Sequence, residues 1–232
     1  MRGGAAIVDV KEPRAGPLGR AEPEVVAEIA VAVGGQAVWT LACGEWRDGA
    51  DVIVRHLAVI DGLLGDRGPL PAAIKAGLAG MAGRSWQPLL TTFADAPWAT
   101  VAVAYADWVE ADAPDPCDVI DAAAAAGCGA VLVDTFDKAG PGLLAARSRS
   151  VIAGWVDRAH AVGIPLALAG RIAAVDLPEI RMFGADIVGL RTAVCAGGRL
   201  GTVDEHLVRQ ADRLLRNGAG AETPPITTGE RT

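Results

Sequence analysis

The sequence has little lysine, few aromatic side chains and no closely spaced pair of cysteines. Lysine supplies only three of the 21 basic residues, at Lys11, Lys75 and Lys138, and aromatic residues make up 4% of the chain. The four cysteines are far apart, without the CxxC spacing of zinc sites and thioredoxin-like motifs. We therefore expect no metal site, a core of small aliphatic side chains, and thiols that stay reduced in a cytoplasm.

Long apolar segments and excess positive charge are also missing. No apolar run reaches the length of a membrane span, and no charged-then-apolar leader precedes Ile7. The formal net charge of −7 disfavours binding to nucleic acid or to an anionic membrane surface. These features predict a cytoplasmic protein that binds neither. An acidic protein still binds an anionic metabolite where its cations converge locally.

Short β-rich runs alternate with amphipathic helical patterns along the whole chain. The predicted strands are residues 6–10, 37–42, 72–78, 100–105, 130–135, 165–169 and 186–190. The predicted helices lie near residues 22–33, 51–64, 85–94, 116–126, 141–162, 173–183 and 202–216. Strands that alternate with helices indicate a parallel sheet, either closed or doubly wound.

The turn after the first strand favours a closed sheet. Residues 11–16 (KEPRAG) lack the Gly-rich dinucleotide-binding fingerprint, and polar residues follow many different strands. We therefore expect a TIM-type (β/α) barrel over residues 1–217, followed by a disordered Gly-, Pro- and Thr-rich tail over residues 218–232. Seven strand–helix units are present where a barrel has eight, so the first strand and helix are expected to be absent.

The missing unit predicts an open edge. We expect seven parallel strands, with a gap between the strand that carries Asp9 and the last strand near Val188. A start codon assigned too late would explain the missing segment. The alternatives are that the tail or a partner subunit fills the gap. The sequence is compatible with a homo-oligomer but does not specify one.

The three lysines stand close to aspartates at strand ends. Asp9 and Lys11 are two residues apart on one strand and share a face, and Asp134 precedes Lys138 by four residues. Crowded ammonium groups lower one another's pKa, and an amine with the ordinary pKa of ~10.4 is neutral in only about one molecule in ~2,500 at pH 7. Lys11, Lys75 and Lys138 are therefore candidates for a nucleophile and for acid–base groups. Inert ion pairs are the alternative.

The loops after the last two strands are candidates for phosphate binding. In barrels of this type these loops usually hold the phosphate, and here they contain Gly170-Arg171 and Gly189-Leu190-Arg191-Thr192. Glycine allows the backbone to approach an anion closely, while arginine offers a planar and permanently charged fork. We predict a substrate phosphate site at Gly170, Arg171, Gly189, Arg191 and Thr192.

Together these segments resemble the (5-formylfuran-3-yl)methyl phosphate synthases of methanofuran biosynthesis. The similar segments are residues 7–13 (IVDVKEP), 16–19 (GPLG), 74–78 (IKAGL), 105–107 (YAD), 133–138 (VDTFDK), 168–170 (LAG), 176–178 (DLP) and 189–195 (GLRTAVC). The resemblance implies a class I aldolase-type barrel without metal or organic cofactor, which joins two molecules of glyceraldehyde 3-phosphate. It implies that Lys11 is the Schiff-base lysine and Lys75 the acid–base lysine, with Asp9, Asp134 and Lys138 beside them.

The expected activity is therefore that of a lyase that forms a furan aldehyde phosphate with loss of phosphate and water. The expected partner is a small phosphorylated triose. Two alternatives remain open from the sequence: another class I aldolase-type enzyme acting on triose phosphates, and a non-catalytic barrel that binds phosphorylated metabolites.

Overall fold

The computed structural model describes residues 3–216, whose centre is one seven-stranded parallel sheet. The strands are β1 (Ile7–Val10), β2 (Val38–Glu45), β3 (Ala73–Gly77), β4 (Ala99–Tyr105), β5 (Ala130–Asp134), β6 (Leu166–Leu168) and β7 (Ile187–Val188). Each strand pairs in parallel with the next strand of the chain, so the spatial order is the sequence order. The sheet curls into an open barrel, with β1 and β7 at its two edges.

Helices cover the outer face of this sheet. They are α1 (Pro23–Val33), α2 (Ala50–Leu64), α3 (Pro116–Ala125), α4 (Leu143–Ala146), α5 (Arg149–Ala161), α6 (Leu177–Met182) and α7 (Glu205–Arg216). Two short strands, β8 (Cys195–Ala196) and β9 (Thr202–Val203), form a separate antiparallel hairpin after β7. Within residues 3–216, no helix has the length and apolarity required to span a bilayer.

The strands are buried on both faces, as is typical of parallel sheets. On β3, Ile74 and Ala76 belong to the larger apolar cluster between sheet and helices, whereas Ala73 belongs to a smaller cluster inside the barrel. Lys75 and Gly77 alternate with Ile74 and Ala76 and therefore share the inner face with Ala73. This alternation places polar side chains of the strands inside the barrel.

Local sequence signals fix the ends of several helices. Asp115 caps α3 by accepting a 2.8 Å hydrogen bond from the Cys117 backbone N–H, with Pro116 at the first helical position. Gly34 ends α1 in the left-handed conformation at φ +53°, and its N–H donates to the Ala30 carbonyl. Asp115 thus starts α3, and Gly34 ends α1 before β2 begins.

The predicted barrel class, its seven parallel strands and the gap are confirmed. Within residues 3–216, no ladder joins β1 to β7 and no eighth strand extends the sheet. The predicted tail over residues 218–232 lies outside the described residues.

Three predicted helices differ from the observed elements. Residues 85–94 form only a 3-10 segment, Gln87–Thr91, because Pro88 and Pro97 restrict this short connection. The predicted helix 141–162 is split into α4 and α5, since Arg147 is extended between them. The predicted helix 202–216 begins only at Glu205, because the two residues of β9 pair with β8.

Candidate functional site

The C-terminal ends of the strands bring all three lysines to one mouth of the barrel. Lys11 directly follows β1, Lys75 lies on β3, and Lys138 lies in the loop after β5. The mouth therefore gathers residues separated by more than a hundred positions in the sequence. Its polar centre consists of two lysine–aspartate pairs and of one lysine that has no carboxylate partner within residues 3–216.

The first pair joins β1 to β3 inside the barrel. The Lys75 Nζ donates to Asp9 Oδ1 in an ion pair and to Thr40 Oγ1 at 3.0 Å. The Thr40 hydroxyl in turn donates to Asp9 Oδ1 at 2.9 Å. Because Asp9 lies opposite Thr40 in the β1–β2 ladder, the register of the sheet itself sets this geometry. Lys75 is buried, whereas the Asp9 side chain is 34% exposed.

The second pair is local and follows β5. The Lys138 Nζ donates to Asp134 Oδ1 at 2.6 Å and to the Thr135 carbonyl. The Thr135 backbone N–H also donates to Asp134 Oδ1, at 2.8 Å. The Asp134 side chain is only 4% exposed. This pair therefore holds its carboxylate away from water.

A buried carboxylate fixes the loop that carries Lys138. Asp107 accepts hydrogen bonds from the backbone N–H groups of Phe136 (2.6 Å) and Asp137 (2.8 Å). Asp107 follows β4, so the end of one strand orders the loop that follows the next strand. The position of Lys138 consequently depends on two neighbouring strands.

Lys11 has a different environment from the other two lysines. Its Nζ donates to the Pro17 carbonyl at 3.2 Å. Among residues 3–216, no carboxylate lies within ion-pair distance of Lys11. Lys11 is also partly exposed at the mouth. Its amine is thus accessible and held by a single neutral acceptor.

The pKa of Lys138 is lowered, chiefly because burial disfavours the charged amine. Asp134 opposes this effect, and the nearby charges of Lys11 and Arg199 lower the pKa further. The charge of Lys11 is thus a smaller contribution to the lowered pKa of Lys138 than burial. This contribution also shows that Lys11 lies close enough to Lys138 for their charges to interact.

Arginines form the rim of the mouth on the side of the open edge. Arg199, in the β8–β9 turn, donates to the carbonyls of Pro13 and Gly16, both at 3.0 Å. Arg191 donates from Nε to the Arg199 carbonyl at 3.0 Å. The hairpin after β7 thus reaches across the gap to the loop after β1. Arg171 also contributes to the positive potential at Arg199, whose pKa is lowered mainly by burial.

The predicted phosphate-loop residues lie together at the ends of β6 and β7. Gly170 is buried at φ +105°, and a Cβ there would meet the Thr135 side chain and backbone. Arg171 adopts a left-handed conformation at φ +53°. Gly189 follows β7 and donates its N–H to the Leu168 carbonyl, and Thr192 begins a 3-10 turn after Arg191. The structure therefore brings all five residues to the same rim.

Sequence reasoning missed four polar residues of this mouth. They are Thr40, Glu45, Tyr105 and Arg199. Thr40 shares the inner face of its strand with Ala42, a signal that the alternation already contained. Glu45 reaches the interior only because of a register shift between β2 and β3, which no local pattern indicates.

Two cavities open at this mouth. One, of about 590 Å³, is lined by Lys138, Arg199 and the loop after β1. The other, of about 340 Å³, is lined by Glu45, Arg20 and Arg47. Pro17, whose carbonyl accepts from Lys11, and Phe136 border both cavities. Across residues 3–216, no group of three or more His, Cys, Asp or Glu side chains is arranged to hold a metal ion.

Solved barrel enzymes share this fold. A 3-hexulose-6-phosphate synthase from Salmonella typhimurium has a TM-score of 0.61, 15% identity, and covers 93% of this chain and 88% of its own. A thiamine phosphate pyrophosphorylase from Pyrococcus furiosus has a TM-score of 0.57 at 15% identity, over 93% of this chain and 85% of its own. Similarity at this level establishes the barrel architecture.

Sequence relatives are more specific. The (5-formylfuran-3-yl)methyl phosphate synthase of Methanocaldococcus jannaschii is 31% identical over 227 residues, which is 93% of this chain and 93% of the relative. The enzyme of the same name from Methanopyrus kandleri is 34% identical over 226 residues, covering 93% and 92%. The family model described as 4-HFC-P synthase matches residues 1–212. This match spans all seven strands and every lysine of the mouth, and the chain therefore belongs to the 4-HFC-P synthase family.

Proposed function

We propose that this protein condenses two molecules of glyceraldehyde 3-phosphate into (5-formylfuran-3-yl)methyl phosphate through a lysine Schiff base. The observation that carries the proposal is the convergence of Lys11, Lys75 and Lys138 with Asp9 and Asp134 at one barrel mouth. Family membership and the names of the relatives support the same product. The residue roles that follow are part of the proposal.

Lys11 is the proposed nucleophile because its amine is accessible and has no carboxylate partner among the described residues. A neutral Lys11 amine adds to a triose carbonyl, and loss of water gives the imine. Loss of a carbon-bound proton then gives an enamine, whose carbon attacks the second aldehyde. Lys138, whose pKa is lowered chiefly by burial, lies close enough to Lys11 for their charges to interact.

Lys75 and Asp9 are the proposed proton-transfer groups. They share a hydrogen-bonded network with Thr40, and the exposed part of Asp9 allows protons to exchange with water or substrate. Lys138 and Asp134 form the matching pair on the other side of the mouth. Elimination of phosphate and water then closes and aromatises the ring.

The substrate phosphate is proposed to bind at the rim formed by the loops after β6 and β7. Positive charge comes from Arg171 and Arg191. The backbone at Gly170, Gly189 and Thr192 allows the phosphate to approach closely. Arg191→Ala is expected to raise the KM for the triose phosphate about 10- to 100-fold, the effect of losing one charge-assisted hydrogen bond of ~1.5–3 kcal/mol. Arg55→Ala, which removes an exposed cation of α2 paired with Asp51, is the matched control.

The experiment that tests the proposed nucleophile is borohydride trapping with glyceraldehyde 3-phosphate. The wild-type chain should acquire a covalent adduct on the peptide that contains Lys11, and mass spectrometry should detect the furan product. Lys11→Arg keeps the charge but cannot form an imine, so both the adduct and turnover should disappear.

Two outcomes would separate the alternatives. An adduct without the furan product would indicate another class I aldolase-type reaction on triose phosphates. Saturable binding without any adduct would indicate a barrel that only binds phosphorylated metabolites. A Lys11→Arg protein with near-normal turnover would rule out Lys11 as the nucleophile.

A further inference from the structure

A β-bulge turns a carboxylate into the mouth of the barrel. The β2–β3 register shifts between Ala42 and Glu45, so that Glu45 lies opposite Gly77. Ala42 belongs to the interior cluster, and strict alternation would next place Gly44 on that face. The shift instead brings in Glu45, the last residue of β2. Bulges beside active sites commonly redirect one side chain in this way.

Glu45 is buried, 8% exposed, and its two oxygens are individually bound. Oε1 accepts a 2.5 Å hydrogen bond from the Tyr105 hydroxyl, and Oε2 accepts from the Ala79 backbone N–H at 3.1 Å. The neighbouring Gly77 has no room for a Cβ, because both Glu45 and Tyr105 occupy that space. The carboxyl group of Glu45 is thus closely packed against Gly77 and Tyr105.

The surroundings of Glu45 favour its neutral form. Burial raises its pKa to about 7, against the opposing effects of the Tyr105 hydrogen bond, the Ala79 N–H and the charge of Arg47, while Asp48 raises it further. Near neutral pH the group therefore exists in both protonation states. This is the condition under which a carboxyl group serves as an acid and as a base in the same catalytic cycle.

Glu45 lies between the interior cluster, where its carboxyl oxygens are bound, and the smaller cavity, which it lines. Arg20, Arg47 and Asp48 line the same 340 Å³ cavity, and Arg20 pairs with Asp48 at 3.7 Å. Pro17, which holds the Lys11 amine through its carbonyl, borders the same cavity. Pro17 therefore connects the Lys11 amine to the cavity that Glu45 lines.

We propose that Glu45 is a further acid–base residue of this site and acts on the part of the substrate that enters the smaller cavity. This inference rests on the proposed function. In the elimination of water, neutral Glu45 gives its proton to the departing hydroxyl while the carbon–oxygen bond breaks. Removal of a proton from the adjacent carbon completes the double bond, and that proton returns Glu45 to its neutral form.

The test is the pH–rate profile of product formation from glyceraldehyde 3-phosphate in wild type and in Glu45→Gln. Wild-type kcat should fall on the basic side of about pH 7, as the acid ionises. Glu45→Gln should lower kcat ~10²- to 10⁴-fold and remove this limb, while the borohydride-trapped adduct persists. Glu28→Gln, on the exposed side of α1, is the matched control and should leave the profile unchanged.

A second variant keeps the inference testable if Glu45→Gln fails to fold. Tyr105→Phe retains the carboxyl group and removes a hydrogen bond that lowers its pKa, so the basic limb should move to higher pH. The inference about Glu45 would be overturned if the basic limb of Tyr105→Phe did not move. It would also be overturned if a folded Glu45→Gln protein kept the wild-type kcat and pH profile. Neither result would contradict the proposed function. A wild-type chain that forms neither adduct nor product would overturn the proposed function and this inference with it.

Discussion

The two lysine–aspartate pairs of the mouth contain the same chemical groups but differ in how far their carboxylates are exposed to solvent. Lys75 and Asp9 meet across two strands, and their carboxylate is 34% exposed. Lys138 and Asp134 are four residues apart, at the end of β5 and in the loop that follows it, and their carboxylate is 4% exposed. Asp9 also accepts from a side-chain hydroxyl, whereas Asp134 accepts from a backbone N–H. One pair is therefore open to water and the other is enclosed.

The difference follows from the place of each strand in the sheet. Strand β1 is an edge strand, so nothing in the described sheet covers the far side of Asp9. Strand β5 is paired on both sides, by β4 and β6. The side chain of its last residue, Asp134, is buried. The open edge of the barrel thus leaves one carboxylate exposed to solvent. We infer that the exposed pair exchanges protons with solvent more readily than the enclosed pair.

The largest effect that we expect from a substitution in these two pairs is on turnover. Lys75→Arg keeps the ion pair with Asp9 but removes an amine able to give up its proton. We expect kcat to fall ~10²- to 10⁴-fold, the usual contribution of one acid–base group, while the covalent adduct is still trapped. Steady-state kinetics and borohydride trapping measure the two effects separately. Loss of the adduct together with turnover would show that Lys75, rather than Lys11, forms the imine.

The enclosed pair should matter more for stability than the open pair. Asp134→Ala leaves Lys138 buried without its carboxylate and should lower the free energy of unfolding by about 3–5 kcal/mol. Asp9→Ala should cost about 1–2 kcal/mol, because water reaches that site and Thr40 remains a partner of Lys75. Urea denaturation of both variants tests the contrast. Equal losses would contradict the distinction between an enclosed and an open pair.

A smaller effect is expected at the position between the two pairs. Gly77 lies two residues after Lys75 and against Tyr105, which is opposite Asp134 in the β4–β5 ladder. Gly77→Ala forces a methyl group into Glu45 and Tyr105 and should destabilise the protein by about 1–3 kcal/mol.

The matched control for Gly77→Ala is another glycine in open space. Gly62 lies on the exposed side of α2, with nothing near its Cβ position. Gly62→Ala should stabilise the helix by about 0.5–1 kcal/mol, since glycine is unfavourable inside helices. Thermal melting of the two variants gives shifts of opposite sign. A harmless alanine at residue 77 would show that the mouth repacks easily.

Much of the architecture could be predicted from the sequence because each strand carries a local signal. Buried β-branched runs and glycine caps located all seven strands, and the scarcity of lysine pointed to Lys11, Lys75 and Lys138. The helix boundaries were less predictable, because proline restriction and hairpin pairing overrode the helical periodicity near residues 85–94 and 202–204.

The remaining parts of the site depend on contacts between distant segments. Glu45 becomes an inward-facing residue only through a register shift against β3, and a register shift has no signature within one strand. Arg199 becomes a rim residue because a hairpin folds back over the loop after β1, 183 residues away from Gly16. The periodicity of one segment cannot reveal such positions, since they depend on contacts with a distant segment of the same chain.

The hydrogen bonds of Arg199 across the gap also show how the two edges of the open barrel are connected at the mouth. A complete barrel is closed by a ladder of backbone hydrogen bonds, and opening it would break the sheet. Here two hydrogen bonds from one guanidinium group connect the hairpin to the carbonyls of Pro13 and Gly16. Each such bond contributes about 1.5–3 kcal/mol, which is the scale of one side-chain contact and not of a strand ladder. The connection across the gap therefore depends on the contacts of one side chain and not on the pairing of the strands.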